Sequence, residues 1–290
     1  MDFLYPTSWA EALAVKAERP EAVPIAGGTD IMVELNFDLR RPAALMDLNR
    51  IPELYSWSVE PDGRIRLGAN VPYARIIDEL GDVLPGLAMA SRTVGSPQIR
   101  NRGGVGGNLG AASPAGDTHP VLVATDAVIE AASVRGVRQI AAVDFYTGVK
   151  RNALERDELI SAVLLSPAAG PQQFSKIGTR NAMVIAVCSF ALAFDSRSRQ
   201  VGTGIGSSAP TPRRAREAER FLADELPWDV PGPLDPALAE HFGELASAAA
   251  SPIDDVRGTA AYRRHALKVM ARRTLQWCWN ELCNEACEDK

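Results

Sequence analysis

Short apolar runs that end at turn residues characterise the first 165 positions of the chain. Such runs predict strands, because strands are brief and are bounded by Gly, Pro, Asn or Asp. The predicted strands lie at 22–25, 44–48, 127–132 and 157–165. Residues 58–69 alternate around Asp62-Gly63, which predicts a hairpin.

Apolar positions at helical spacing predict helices between these strands. The first helix opens with the capping box Ser8-x-x-Glu11 and ends near Arg19-Pro20. Further helices are predicted at 31–35, 74–80, 86–94 and 120–124. The segment 135–138 predicts a turn, after which 139–143 pairs back onto the strand before it.

The pattern changes after residues 166–173, which are rich in Pro, Gly and Gln and predict a domain boundary. Apolar runs at 174–177, 184–194 and 200–206 then predict a three-stranded antiparallel meander. Helices are predicted after it, at 215–222, 236–250 and 260–287. Strands followed by helices indicate an α+β C-terminal unit, with predicted bounds of 172–290.

Composition narrows the class of protein but not its chemistry. The chain has 290 residues, 46% hydrophobic and 23% charged, with a net charge of −5, which favours a globular protein without a nucleic-acid surface. The longest apolar run, 183–194, is too short to span a membrane. The N-terminus carries no export signal and the four cysteines form no disulfide framework, so we expect a reducing cytoplasm.

Glycine is concentrated in one stretch, where five of the 23 glycines fall between Gly103 and Gly110. Such density lets another molecule approach the backbone closely, and consecutive N–H groups can form an anion-binding concavity. A flexible linker is the plainer alternative, but Val105, Asn108 and Leu109 interrupt the run. A second glycine turn, Ala26-Gly27-Gly28-Thr29-Asp30, follows a predicted strand and precedes a predicted helix, an arrangement that also presents N–H groups to phosphate. The sequence therefore offers two segments for one phosphate-bearing ligand.

Three other sequence patterns are weak evidence for a functional site. The sequence Gly204-x-Gly206-x-x-Ala209 matches a dinucleotide fingerprint, yet Pro210 follows at once and no helix can open there. Ser113, Asp117 and His119 are close in sequence, but spacing alone does not identify a hydrolytic triad. Cys278, Cys283 and Cys287 lack a fourth ligand, so we interpret them as buried or interface cysteines.

The two glycine segments closely resemble those of the FAD-binding medium subunit of molybdenum hydroxylases, the family of xanthine dehydrogenase and carbon monoxide dehydrogenase. Further matching pieces follow in the family's order. They include Ala112-Ser113-Pro114-Ala115-Gly116-Asp117, Lys176-Ile177-Gly178-Thr179-Arg180 and Asp255-Val256-Arg257-Gly258. The resemblance implies an α+β fold with a two-subdomain, PCMH-like FAD-binding unit, divided at 1–56 and 57–167, and the C-terminal unit already described.

The resemblance also implies which residues bind FAD. Segments 24–31 and 104–108 would wrap the pyrophosphate, Asp117 would contact the ribityl or adenosine side, and Ile160 would line the site through its backbone. Lys176 would lie near the isoalloxazine, although a solvated surface lysine is an equal alternative from the residues alone. The implied set is Pro24, Ile25, Ala26, Gly27, Gly28, Thr29, Asp30, Ile31, Val94, Gly104, Val105, Gly106, Gly107, Asn108, Asp117, Ile160 and Lys176. Gly104 departs from the family, which commonly has Thr or Ser there.

The function implied by the resemblance is electron transfer. A large molybdenum-cofactor subunit would oxidise the substrate, a small [2Fe-2S] subunit would relay electrons, and this FAD subunit would pass them to an external acceptor, in a dimer of heterotrimers. We weigh two alternatives against this interpretation: a self-contained FAD-dependent oxidase with its own substrate site, and a structural partner that has lost FAD. The substrate and the acceptor are not indicated by the sequence.

Overall fold

The structure is a computed structural model that describes residues 1–230 and 232–288, with backbone alone for the last three of these. A small parallel sheet with strand order β1-β3-β2 comes first. Its elements are β1 (Asp2–Leu4), α1 (Trp9–Glu18), β2 (Val23–Ile25), α2 (Ile31–Asn36) and β3 (Ala44–Asp47). Pro24 cannot donate a ladder hydrogen bond, which suits its place on the edge strand β2.

The N-terminal helix begins where its sequence predicts. Ser8 is the N-cap of α1, and its hydroxyl accepts a hydrogen bond from the Glu11 backbone N–H at 3.2 Å. The Glu11 carboxylate accepts from the Thr7 N–H at 2.7 Å, so the capping box reaches back one residue further than its usual form. Strand β1 is absent from the sequence expectations because three residues carry too little alternation to predict a strand.

A five-stranded antiparallel sheet with strand order β4-β5-β10-β6-β7 forms the second layer. After a short 3-10 helix (Pro52–Tyr55), this part of the chain contains β4 (Trp57–Val59), β5 (Ile65–Gly68), α3 (Tyr73–Glu79), α4 (Pro85–Thr93), α5 (Pro97–Arg100), α6 (Val105–Ala111), α7 (His119–Ala124), β6 (Val128–Ser133), β7 (Gly136–Ala141), α8 (Ala142–Phe145), β8 (Tyr146–Gly148), β9 (Arg151–Asn152) and β10 (Leu159–Leu165). Strands β8 and β9 lie outside the five-stranded sheet and form a two-stranded antiparallel sheet of their own. Every residue of the central strand β10 is buried.

The C-terminal unit confirms the predicted meander followed by helices. Its elements are β11 (Gln172–Gly178), β12 (Ala186–Asp195), β13 (Gln200–Gly206), α9 (Arg216–Glu225), α10 (Pro236–Ala248) and α11 (Ala260–Glu288). The three strands are antiparallel and adjacent in chain order. Phe190, Phe242 and Trp279 are fully enclosed between this sheet and the helices. The α+β fold class predicted from the sequence is thereby confirmed.

Helix α7 connects the second layer to the C-terminal unit. All six of its residues are buried, and it packs against α4, α8, β12 and β13. The approach of β13 requires glycine, because a Cβ atom at Gly204 would lie 1.9 Å from the Pro120 carbonyl oxygen. At Gly202 a Cβ atom would lie equally close, 1.9 Å from the Ala124 carbonyl oxygen. The backbone of β13 therefore rests directly on α7.

We expect Gly204→Ala to lower the free energy of unfolding by more than about 2 kcal/mol, since the added methyl forces β13 away from a buried helix. Urea denaturation followed by circular dichroism measures this loss. Gly148→Ala is the control, because the nearest heavy atom to its Cβ position is 3.7 Å away. Equal stability of the two variants would contradict the proposed close packing.

Candidate cofactor site

The glycine stretch folds as the start of a helix, an outcome that its composition disfavours. Gly104 is the N-cap of α6 and provides no side-chain cap. The backbone N–H of Gly106 donates to the Ala69 carbonyl at 3.0 Å, directly after β5. A Cβ atom at Gly106 would lie 2.5 Å from the Ala69 Cβ atom. Glycine at 106 thus allows α6 to press against the end of β5.

The second glycine turn meets the first. A Cβ atom at Gly27 would lie 2.1 Å from the Arg102 carbonyl oxygen, so the two loops touch through their backbones. Gly28 has φ +73°, the left-handed region that favours glycine. The Asn49 amide holds the turn by donating to the Ala26 carbonyl at 3.0 Å. Both segments predicted to bind phosphate therefore lie side by side.

A cleft with two adjoining parts runs between the parallel sheet and the second layer. The smaller part has a volume of about 290 Å³ and the larger about 580 Å³. Both parts are lined by Pro24, Ala26, Asp30, Ile31, Asn70, Gly107 and Ala111. Gly107 faces open space, since no heavy atom lies within 4 Å of its Cβ position. Among the described residues, no acceptor pairs with the backbone N–H of Gly28, Thr29 or Gly107.

The cleft gathers most of the residues predicted from the sequence. All residues from 24 to 31 line its smaller part, together with Val94, Gly104, Gly107 and Asn108. Gly106 and Ile160 line its larger part. Three predicted residues line neither part: Val105, which is buried in the core, and the pair Asp117 and Lys176.

Asp117 and Lys176 form a buried ion pair beside the smaller part of the cleft. The Lys176 Nζ atom lies 2.6 Å from Asp117 Oδ2 and donates to the Thr93 carbonyl at 3.1 Å. Their side chains are only 7% and 8% exposed, so the alternative of a solvated surface lysine is wrong. Burial raises the pKa of the Asp117 carboxyl, and the Lys176 ammonium opposes that rise. Asp117 Oδ1 is buried without a partner among the described residues.

Several lining residues were missed by the sequence analysis. Asn70 is 6% exposed, and its amide donates to the Leu48 carbonyl at 3.2 Å. A polar residue directly after an apolar strand is the signal that could have identified it. Tyr73 lies just before the helix predicted at 74–80, and nothing in the sequence pattern marks it as a site residue, although its backbone N–H donates to the Gly103 carbonyl at 3.0 Å.

An ion pair closes one rim of the larger part. Lys150, between β8 and β9, extends from the second layer toward α2 of the first. Its Nζ atom lies 2.6 Å from Glu34 Oε1. Both side chains line the larger part of the cleft. The two layers are therefore joined across the cleft by a charged contact as well as by glycine loops.

His119 lies beneath the glycine helix. Its Nε2 atom is 3.2 Å from the Asn108 carbonyl oxygen, and its side chain is fully buried. Burial lowers the pKa of His119 from 6.5 to about 4, so the imidazole is neutral near pH 7. A neutral ring that supports Asn108 suits a structural role rather than the hydrolytic role that we set aside.

The other features considered in the sequence, among them the cysteines, do not form a binding site among the described residues. In the part of the chain that the structure describes, no three His, Cys, Asp or Glu side chains could hold a metal ion together. Cys278 is buried, Cys283 is partly buried, and the Cys287 side chain lies outside the described residues. Within residues 1–230 and 232–288, no helix has the length and hydropathy needed to cross a bilayer.

Two family models match the chain consecutively. The FAD binding domain in molybdopterin dehydrogenase matches residues 1–167. The CO dehydrogenase flavoprotein C-terminal domain matches residues 173–278. Together these matches cover the parallel sheet, the five-stranded layer and most of the C-terminal unit.

Individual relatives match over nearly their whole length. The chain is 28% identical to the putative xanthine dehydrogenase FAD-binding subunit of Escherichia coli, covering 92% of this chain and 91% of that protein. It is 30% identical to the nicotine 6-hydroxylase medium subunit of Paenarthrobacter nicotinovorans, with 93% and 94% covered. Among solved structures, reconstituted CO dehydrogenase from Oligotropha carboxidovorans matches with a TM-score of 0.89 and 27% identity, over 97% of this chain and 98% of that one.

We expect the free energy of unfolding to decrease as the pH is lowered, because His119 is buried in its neutral form. A histidine whose pKa is depressed in the folded state binds its proton more readily when unfolded, so its contribution is complete above pH 6.5 and is lost as the pH falls toward 4. The free energy of unfolding should decrease by roughly 2.5 kcal/mol between about pH 7.5 and 4.5. Urea denaturation across this range measures the decrease.

His119→Phe should flatten that pH dependence, because phenylalanine fills the site without titrating. His265→Asn is the matched control, since His265 is exposed on α11. An unchanged pH dependence in His119→Phe would contradict the assignment.

Proposed function

The chain belongs to the family of the FAD binding domain in molybdopterin dehydrogenases, and from that membership we infer that it is the FAD-carrying medium subunit of a heteromeric molybdenum hydroxylase. It is an oxidoreductase subunit of the xanthine dehydrogenase and carbon monoxide dehydrogenase type. When bound, FAD supplies chemistry that the side chains lack, by taking electrons from iron–sulfur clusters and delivering them to an acceptor. The protein holds and orients the cofactor.

One observation carries this proposal: Gly107, with an unpaired N–H and open space at its Cβ position, lies on the wall shared by both parts of the cleft. A pyrophosphate is an anion that joins two larger groups, so it suits the junction between two adjoining cavities. Gly28, Thr29 and Gly107, from the two glycine segments, all line the cleft, and their backbone N–H groups have no acceptor among the described residues. The Oδ1 atom of Asp117 is buried without a partner among the described residues, so one carboxylate oxygen is left to accept a hydrogen bond. These features fit FAD.

We propose the following roles for the predicted site residues. Segments 24–31 and 104–108 hold the pyrophosphate through their backbones, and Ile160 lies at the adenosine end, in the larger part of the cleft. Val94 lies at the flavin end, in the smaller part. Lys176 approaches this end through its contact with Thr93, the residue before Val94. Since Thr93 and Asp117 share Lys176, Asp117 belongs to the ribityl and flavin end rather than to the adenosine end.

The Lys176 charge acts within an ion pair. Because Asp117 lies 2.6 Å away, the pair presents the cleft with a dipole rather than an isolated positive charge. A carboxylate that remains ionised at this depth depends on that ammonium, since burial alone raises its pKa. Lys176 thus keeps Asp117 charged and available as an acceptor for a cofactor hydroxyl.

The assembly and location complete the proposal. The partners are a large molybdenum-cofactor subunit and a small [2Fe-2S] subunit, arranged as a dimer of heterotrimers in the cytoplasm. Segments 1–56 and 57–167 form the two FAD-binding subdomains, and 172–290 forms the C-terminal domain. The substrate is oxidised on the large subunit, so the cleft described here serves the cofactor and not the substrate.

We expect Gly107→Leu to weaken FAD binding by at least roughly 100-fold, because the side chain extends into the junction of the cleft. The variant should fold at least as well as the wild type, since leucine favours helix over glycine and meets no protein atom within 4 Å of its Cβ position. Fluorescence titration with FAD measures affinity, and the melting temperature without FAD reports folding.

Gly110→Leu is the matched control on the same helix. Its Cβ position also has no heavy atom within 4 Å, but Gly110 lines only the larger part of the cleft. Its affinity for FAD should fall by less than about 10-fold. Wild-type affinity in Gly107→Leu would remove the pyrophosphate from the proposed position.

The electron-transfer function is tested in the complex, purified through a tag on this chain. Candidate substrates are those named for the relatives, such as xanthine, nicotine and carbon monoxide. A complex carrying Gly107→Leu should still reduce its iron–sulfur clusters when a substrate is added, while reduction of the external acceptor is lost. Undiminished acceptor reduction without FAD would exclude this chain from the electron path. Substrate oxidation by the isolated chain would favour the self-contained oxidase instead.

A further inference from the structure

Thr118 contacts a residue of the proposed cofactor site without lining the cleft itself. It is fully buried, and its Oγ1 atom lies 2.8 Å from Asn108 Oδ1. The amide oxygen can only accept, so the threonine hydroxyl is the donor. The Asn108 Nδ2 group is then the end of the amide left for other partners, and no acceptor for it is present among the described residues.

The hydroxyl of Thr118 does not cap helix α7, although Thr118 is the residue at the N-cap position. Thr118 is the N-cap of α7, where threonine side chains ordinarily accept from the second or third helical N–H. Here it makes no cap bond, and Pro120 has no N–H to offer at the second position. Its hydroxyl instead donates to Asn108, and the buried Tyr73 hydroxyl also interacts with the Thr118 side chain.

We propose that Thr118 is a positioning residue for the cofactor: its hydroxyl holds the Asn108 amide oxygen, so that the Nδ2 donors point into the cleft toward the FAD pyrophosphate and ribityl oxygens. This proposal rests on the proposed function. An Asn amide without such a partner can rotate by half a turn and present its oxygen to an anion, which is unfavourable.

The backbone of Asn108 is held separately. His119 Nε2 contacts the Asn108 carbonyl oxygen at 3.2 Å, and the N–H of Ala112 donates to the same oxygen at 3.1 Å. Removing the Thr118 hydroxyl therefore frees the side chain of Asn108 without releasing its backbone. The effect of Thr118 on FAD binding can therefore be measured separately from any effect on the stability of the fold.

Thr118→Val removes the donor and keeps the shape of the side chain. In the full-length chain we expect FAD affinity to fall by about 10-fold, measured by fluorescence titration, with little change in the melting temperature without FAD. Thr118→Ser should restore affinity because it restores the hydroxyl. Thr125→Val is the control: it lies just after the other end of α7, and its hydroxyl donates to the Val121 carbonyl at 2.9 Å.

A double-mutant cycle separates positioning from a purely structural role. In an Asn108→Ala background, Thr118→Val should cause no further loss of FAD affinity, because the group that it positions is gone. Wild-type affinity in Thr118→Val, or losses that simply add in the double mutant, would overturn the proposal.

If Thr118→Val does not fold, the FAD affinities of Thr118→Ala and Thr118→Ser are compared instead. Weaker FAD binding in Thr118→Ala alone supports the proposal, and equal FAD binding in the two variants overturns it. Failure of the wild-type chain to bind FAD would instead refute the proposed function.

Discussion

The complete burial of α7 is the constraint on which the cofactor cleft depends. A helix enclosed on every side cannot shift without disturbing each layer that packs on it. Asp117 and Thr118 lie immediately before this helix and His119 is its first residue. Thr118 and His119 contact Asn108 of α6, and Asp117 pairs with Lys176 of β11. The C-terminal unit holds α7 from the opposite side through Gly202 and Gly204. The position of the cleft thus depends in part on the C-terminal unit, which packs against the far side of α7.

The glycines that look alike in the sequence have different physical roles. Gly27 and Gly106 are required because protein backbone or side chain occupies the space of a Cβ atom. Gly107 is open, so protein packing does not require glycine at this position. Gly104 belongs to the first group, since a Cβ atom there would lie 2.8 Å from the Val71 carbonyl oxygen. The absence of the family's hydroxyl at 104 is therefore matched by a backbone that leaves little room for one.

Most of the fold could be predicted from the sequence because its signals are local. The hairpin around Asp62-Gly63, the capped helix at Ser8 and the meander after residue 173 each depend on neighbouring residues. Helix α6 could not be predicted in this way, since glycine disfavours helix and the packing partners of α6, which are Ala69, β9 and β10, are distant in the sequence. The burial of Lys176 was equally hidden, because its partner Asp117 is 59 residues away along the chain. The resemblance indicated the cofactor, but not which side chains support one another around it.

The same ion pair has a consequence for the order in which the protein matures. The cleft residues leave the ribosome before β11 and β13 exist, yet the loop carrying Asp117 is secured by Lys176 on β11 and by the Ser207 N–H, which donates to the Pro114 carbonyl at 2.9 Å. Contacts between distant segments form late in folding, since closing the intervening chain costs entropy. A nascent chain therefore has both glycine segments long before the loop that carries Asp117 is secured. The walls of the cleft are complete only when β11 and the residues that follow β13 have been synthesised and have packed against that loop.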